Sequence, residues 1–199
     1  MKYSTNDKMC FSSVIFLLML FISFCSYGET MVAAEYKVKA VFLINFAKFI
    51  DWPPEALGDA SSEIIIGIIG DDPFKEVIED VAKKSKVHNR DLVIKRFNNE
   101  DDIQFCHILF ICSSEKKNLD RIKDKIKDWD VLTVSETEGF AEKGVIINFK
   151  TVGSKIRFEI NKDAADEAEL KVSSQLMKLA ILVESKQSGI YLKKKRNRC

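Results

Sequence analysis

Histidine is scarce in this 199-residue chain, with only His88 and His107, and four motifs that usually announce catalysis are missing. There is no zinc-protease helix motif, no paired Cys-x-x-Cys, no nucleophile elbow and no phosphate loop carrying a lysine. Those absences favour binding over catalysis and name no catalytic residue, metal site or cofactor. Cys106 and His107 are adjacent, but neighbours on a strand point to opposite faces, so they do not form a dyad. Internal repeats and low-complexity stretches are also missing, apart from a basic run at the C-terminus. No segment after the first thirty residues has the ~20 apolar residues that a membrane helix needs.

The first thirty residues stand apart. Lys2 and Lys8 precede an apolar run from Phe11 to Phe24 that ends among the small residues Ser23, Ser26 and Gly28. That order predicts a secretory signal peptide over residues 1–28, with an uncleaved anchor as the alternative. Phe24 is too bulky to precede a lipidated Cys25. The remaining chain has equal numbers of basic and acidic side chains, and the body up to Leu192 has a net charge of −5 once the basic tail is set aside. Such a body does not suit nucleic acid. At 46% hydrophobic and 31% charged residues, it is an ordinary globular chain long enough for one core.

Export leaves Cys106, Cys112 and Cys199, an odd number in an oxidising compartment. Six residues of strand separate Cys106 from Cys112 by ~20 Å, beyond the reach of a disulfide. Cys199 is therefore the candidate for an intermolecular bridge, and the other two read as small buried residues.

Residues 32–50 place Val38, Phe42, Phe46 and Phe49 at helical spacing, with Leu43, Ala47 and Ile50 beside them, and Pro53 stops the helix. Ile64 to Ile69 is a continuous β-branched run, as in a parallel strand covered on both faces. Gly70-Asp71-Asp72-Pro73 reads as a turn with Pro73 early in a helix. Leu92–Phe97, Phe105–Cys112 and Val131–Val134 read as further strands, and Glu115–Asp128 as a helix. Val145–Phe149 and Lys155–Ile160 form a hairpin, followed by helices over Asp163–Leu170 and Ser174–Val183. The prediction is a single three-layer α/β domain over 32–186. It has a mainly parallel sheet, helices on both faces and a C-terminal antiparallel hairpin, with a basic flexible tail over 187–199.

Three places could contact a ligand or partner. Asp71 lies where a doubly wound sheet binds ligands, although two adjacent acids repel phosphate and the plainer reading is a turn with a capping Asp. On the strand from Lys155 to Asn161, Arg157 and Glu159 share a polar face expected to be open, as an effector patch or as a local salt bridge. Trp52, with Pro53 and Phe49, is either a core plug or an exposed anchor for a partner.

These pieces match a known pattern. Lys39-Ala40-Val41-Phe42-Leu43, Asn45-Phe46-Ala47-Lys48-Phe49 and Trp52-Pro53 resemble the opening of the YfiR family. Gly70-Asp71-Asp72-Pro73-Phe74, Cys106 to Ile111, Gly139-Phe140, Gly144-Val145-Ile146, Arg157-Phe158-Glu159-Ile160-Asn161 and Ser174 to Ala180 resemble its later blocks in order. The resemblance covers residues 36 to about 182. It implies a non-enzymatic periplasmic homodimer that binds the periplasmic domain of an inner-membrane signalling protein, in the best understood setting a diguanylate cyclase. Cyclic di-GMP and biofilm formation are then its outputs. It also points to Arg157 and Glu159 as effector contacts. Other members serve sensor kinases or outer-membrane transport, so a small-molecule sensor or carrier is the rival reading. Cys112 stands where the family commonly has a small hydroxyl residue, which leaves redox control through internal disulfides without support.

Overall fold

The computed structural model of the chain describes residues 32–59 and 62–185. Its centre is a seven-stranded sheet in the order β3-β2-β4-β5-β6-β7-β9. The strands are β2 (Ile64–Ile69), β3 (Leu92–Phe97), β4 (Ile108–Ile111), β5 (Leu132–Ser135), β6 (Ile147–Val152), β7 (Lys155–Asn161) and β9 (Ile181–Val183). All neighbours are parallel except β6 and β7, which form the antiparallel hairpin the sequence predicts. A second, two-stranded sheet pairs β1 (Ile50–Asp51) with β8 (Lys171–Val172). Neither short strand was visible in the residue pattern.

Alternation along the strands sends side chains into two cores. Ile64, Ile66, Ile68, Ile108, Phe110, Leu132, Val134, Phe158 and Ile160 pack on one face, beneath helix α1 (residues 32–48) and α3 (Val77–Ala82). Leu109, Ile111, Ile69 and Phe97 pack on the other, beneath α4 (Leu119–Ile126), which contributes Leu119, Ile122 and Ile126. Helices therefore cover both faces. α1 buries Ala40, Leu43, Ile44, Phe46 and Ala47 along one stripe, while Val38 and Val41 face outward. Phe46 lies 5.5 Å from the ring of Phe149 and 5.0 Å from that of Phe158. Each such pair contributes about 0.5–1.5 kcal/mol beyond its buried area.

Several boundaries differ from the sequence expectation. Pro73 does not open a helix: Lys75 takes a left-handed φ of 50°, and α3 starts only at Val77. The predicted helix from Glu115 becomes a 3₁₀ turn at Ser113–Lys117 followed by α4. The predicted helix from Ser174 to Val183 is half helix, α6 (Ser174–Leu179), and half strand, β9. Ala180 turns extended at ψ 160°, and Ile181–Val183 then pairs with Glu159–Asn161. The free hydrogen-bonding edge of β7 outweighs helix propensity there, because its buried residues leave backbone groups that need partners. The hairpin is thus one strand in from the sheet edge.

Candidate functional site

Strand order reverses between β2 and β4, and the carboxyl ends of those strands form the crevice where open α/β sheets usually bind ligands. Here the chain's own side chains fill it. Gly70 has φ 93°, and a Cβ placed on it would lie 2.3 Å from Ser114 Oγ and 2.9 Å from Glu115 Oε1. The Asp71 N–H donates to Ser114 Oγ at 2.9 Å, and the Asp71 residue is exposed. Asp72, beside it, accepts from the Phe74 N–H at 2.7 Å and from Arg96 Nε at 2.8 Å. The plainer reading of this turn, an Asp that organises local backbone, is what the geometry shows for Asp72. Farther along the same ends, buried Lys39 of α1 bridges Glu35 and Glu136, each at 2.6 Å, while the Tyr36 hydroxyl donates to Glu136 at 3.0 Å. Burial and Glu136 together push the Tyr36 phenol well above its ordinary range, so it stays a donor.

The predicted open polar face of β7 is open at Lys155 and Arg157 and closed at Glu159 and Asn161. Glu159 is 8% exposed and Asn161 is fully buried, with Arg157 exposed. Glu159 does not pair with Arg157. It accepts from Lys150 Nζ at 2.8 Å and from Asn148 Nδ2 at 3.4 Å, because the hairpin register sets Asn148 opposite Glu159. Arg157 faces Lys150 across the same pair. The expected Arg157–Glu159 salt bridge is therefore replaced by a cross-strand pair. Asn161 caps α5 (Lys162–Glu167) by accepting from the Ala164 N–H at 3.0 Å. Its amide donates to Ala141 O and Ser185 Oγ, both at 2.7 Å.

Trp52 is 6% exposed, so it is a core plug and not an exposed anchor. Its ring meets His107 edge-on at 6.3 Å, with Pro53 and Phe49 half-buried beside it. The segment that carries it closes the amino ends of the parallel strands. There α2 (Pro54–Leu57) sets Ala56 O 3.1 Å from His107 Nε2, while the Ile65 N–H donates to His107 Nδ1 at 3.0 Å. With Nδ1 accepting, the proton sits on Nε2 and is donated to Ala56. Burial lowers the pKa of this imidazole, so the ring is neutral.

A cavity of about 460 Å³ opens beside that ring, between α2 and the segments leading into β2, β4 and β5. Phe105 and Trp129 form its aromatic wall, with centroids 5.2 Å from Phe105 to His107 and 6.0 Å from Phe105 to Trp129. The acidic residues Glu55, Glu63, Asp128 and Asp130 line it as well. Sequence reasoning missed this cavity, since its walls lie up to 75 positions apart and carry no shared motif.

Cys106 and Cys112 are both free and buried, in the two different cores. Burial pushes the Cys106 thiol up to about 12, and burial with nearby acids raises Cys112 further. The absence of a 106–112 bridge follows the sequence expectation. Cys199, the basic tail and the segment read as a signal peptide lie outside the described residues. On the outer strand β9, Leu182 is 63% exposed beside exposed Ile181, and Leu179 at the end of α6 is 68% exposed. Among the described residues no helix is long and apolar enough to cross a membrane, and no group of three or more His, Cys, Asp or Glu side chains could hold a metal ion.

Comparison with known proteins gives a family and a fold. The family model described as DUF4154: YfiR/HmsC-like matches residues 36–181. No curated protein matches the chain. Among solved structures, the ABC domain in complex with L-Trp from Streptococcus pneumonia is similar at 10% identity and TM-score 0.50, over 72% of this chain and 60% of that one. A ligand-free, open structure of CD0873, a substrate binding protein with adhesive properties from Clostridium difficile, is similar at 10% identity and TM-score 0.45. That match covers 62% of this chain and 55% of the other. The chain thus spans less than two thirds of either structure, and the first likeness is one of fold alone.

Proposed function

Because the chain belongs to the YfiR/HmsC-like family, we propose that it is a non-enzymatic periplasmic regulator that holds a membrane signalling protein inactive. The partner in this reading is the periplasmic domain of a diguanylate cyclase, and release of that domain raises cyclic di-GMP and promotes biofilm. The protein acts as an exported homodimer. The observation that carries the partner contact is the outer edge of the sheet. β9 ends the strand order, so among the described residues its outer backbone groups have no strand partner. Exposed Ile181 and Leu182 lie on β9 itself, on its two faces, and exposed Leu179 ends α6 just before it. An apolar open edge is the kind of surface on which a second chain docks. The state of the potential nucleophiles among the described residues supports a binding role: Cys106 and Cys112 are buried, which raises both thiols, and His107 has both ring nitrogens in hydrogen bonds.

The rival reading, a small-molecule sensor or carrier acting at Arg157 or Asp71, draws little support from those residues. Four strand spacings, about 19 Å, separate β7 from β2, so Arg157 and Asp71 do not form one site.

The test is cellular cyclic di-GMP in the source bacterium with the gene deleted, restored, restored without residues 1–28, and restored as Leu182→Asp. A rise on deletion that only the exported form reverses, with Leu182→Asp stable but inactive, is the expected result. Unchanged cyclic di-GMP on deletion would overturn the cyclase reading. Full activity of Leu182→Asp would move the contact away from β9.

A further inference from the structure

We infer that the cavity at the amino ends of β2, β4 and β5 is a binding site for a small organic cation, an ammonium or guanidinium group carried on an aromatic or apolar body. This goes beyond the regulator reading and does not depend on it. Size is the first argument: about 460 Å³ falls within the ~300–1,000 Å³ of small-molecule sites.

Charge decides the sign of the ligand. Glu55, Glu63, Asp128 and Asp130 line the cavity, no lysine or arginine does, and none of the four acids forms an ion pair among the described residues. Arg90, whose charge reaches His107, stands behind one wall. It donates to the carbonyl oxygens of Leu57, Asp59 and Ser62, which holds that wall in place. Asp130 is half-buried, and burial together with Glu169 and Glu55 raises its pKa. Among the described residues no ion pair offsets these acids, of which Glu55, Glu63 and Asp128 are exposed and Asp130 is half-buried, and a bound cation would relieve their mutual repulsion.

The walls decide the ligand's shape. Phe105, His107 and Trp129 present rings to one another at 5.2 Å and 6.0 Å between centroids. Such a wall attracts a cation through its ring faces while covering an apolar body. His107 contributes a ring and no charge, because its Nδ1 accepts from the Ile65 N–H and burial keeps it neutral. A bare metal ion does not fit: among the described residues no group of three or more His, Cys, Asp or Glu side chains could hold one. Acids beside aromatic rings, without a metal-holding group, suit an organic cation that binds without a coordination shell.

The experiment is calorimetric titration of the purified chain without residues 1–28 with three probes that share a phenethyl body: phenethylammonium, the neutral 2-phenylethanol and the anionic 3-phenylpropionate. The cation should bind at least tenfold more tightly than the alcohol, and the anion should not bind. Asp130→Asn and Trp129→Leu should each weaken the cation by roughly tenfold while the melting temperature confirms folding, and Asp124→Asn on exposed α4 should leave affinity unchanged. A capped Gly-Lys-Gly peptide separates the two sources of such a cation. Binding as tight as the amine assigns the site to a protein side chain, and weaker binding assigns it to a free amine. Equal affinity for cation and alcohol, no binding of phenethylammonium, or binding that survives both substitutions would overturn the proposal. Because purified protein is used, its failure leaves the cyclase reading untouched, and the converse also holds.

Discussion

Asn161 joins three parts of the molecule through one fully buried amide, and its removal offers a sharp test of the fold's wiring. Its Oδ1 caps α5 at the Ala164 N–H, and its Nδ2 reaches Ala141 in the turn before β6 and Ser185 after β9. Asn161→Ala removes the cap, which costs about 0.5–2 kcal/mol. It also strands the Ala141 carbonyl oxygen in the interior, at about 1–3 kcal/mol. Ser185 is half-buried and can turn to water, so it adds little. The expected loss is about 2–4 kcal/mol, or roughly 5–15 °C in melting temperature at ~2–4 °C per kcal/mol for a domain of this size. Urea unfolding followed by tryptophan fluorescence should show a lower midpoint at unchanged slope. Asn161→Asp separates the two roles, since it keeps the capping acceptor and loses both donated bonds. It should remain destabilised at pH 7, with a carboxylate facing the Ala141 oxygen. A loss below about 0.5 kcal/mol for Asn161→Ala, the range of an ordinary surface change, would refute the three-way anchor. Wild-type stability of Asn161→Asp would refute the part assigned to the donors.

His107 predicts a pH dependence: its folded pKa is depressed by burial, so below the unfolded value of ~6.5 the unfolded chain binds the extra proton. Stability should therefore be complete above about pH 6.5 and decline as pH falls toward the folded pKa, and urea midpoints of wild type and His107→Gln at pH 7.5 and 5.5 should show a smaller decline in the variant. Cys106 and Cys112 should resist iodoacetamide at pH 8 in the native protein and react once it is denatured, as read by intact mass. Rapid native labelling of either would contradict their burial. Gly67→Ala would place a Cβ 2.7 Å from Phe97 Cε2 and 3.0 Å from Cys106 Sγ, so thermal unfolding should show a loss of about 1–3 kcal/mol from overpacking.

Much of the fold is legible because it is written locally. Ile64 to Ile69 is apolar on both faces and β-branched, which only a strand covered on both sides satisfies, and β2 runs over those six residues. The helix read over residues 32–50 is present but stops at residue 48, because Ile50–Asp51 pairs as β1, so the chain has left the helix before Pro53 is reached. Legibility stops where a residue's state depends on a distant partner. Alternation set Glu159 and Asn161 on a polar face, and they are there, but that face is covered by the 137–144 turn and by Lys150. Trp52 could have faced either way, and its burial follows from where β4 delivers His107. The helix expected through Val183 gave way at Ala180 because β7 offered an edge that local propensity does not see.

The amino-acid order by itself determined the layered α/β class, the parallel strands, the hairpin and the family pattern, since side-chain periodicity and backbone restriction act over a few residues. Tertiary structure alone decided that Glu159 takes Lys150 and not Arg157, that β9 becomes the edge, and that Glu55, Phe105, His107, Trp129 and Asp130 surround one cavity. Those outcomes follow from strand order and register, which bring together residues far apart in the chain. The free energy of such contacts depends on what else is buried beside them, and no local window contains that.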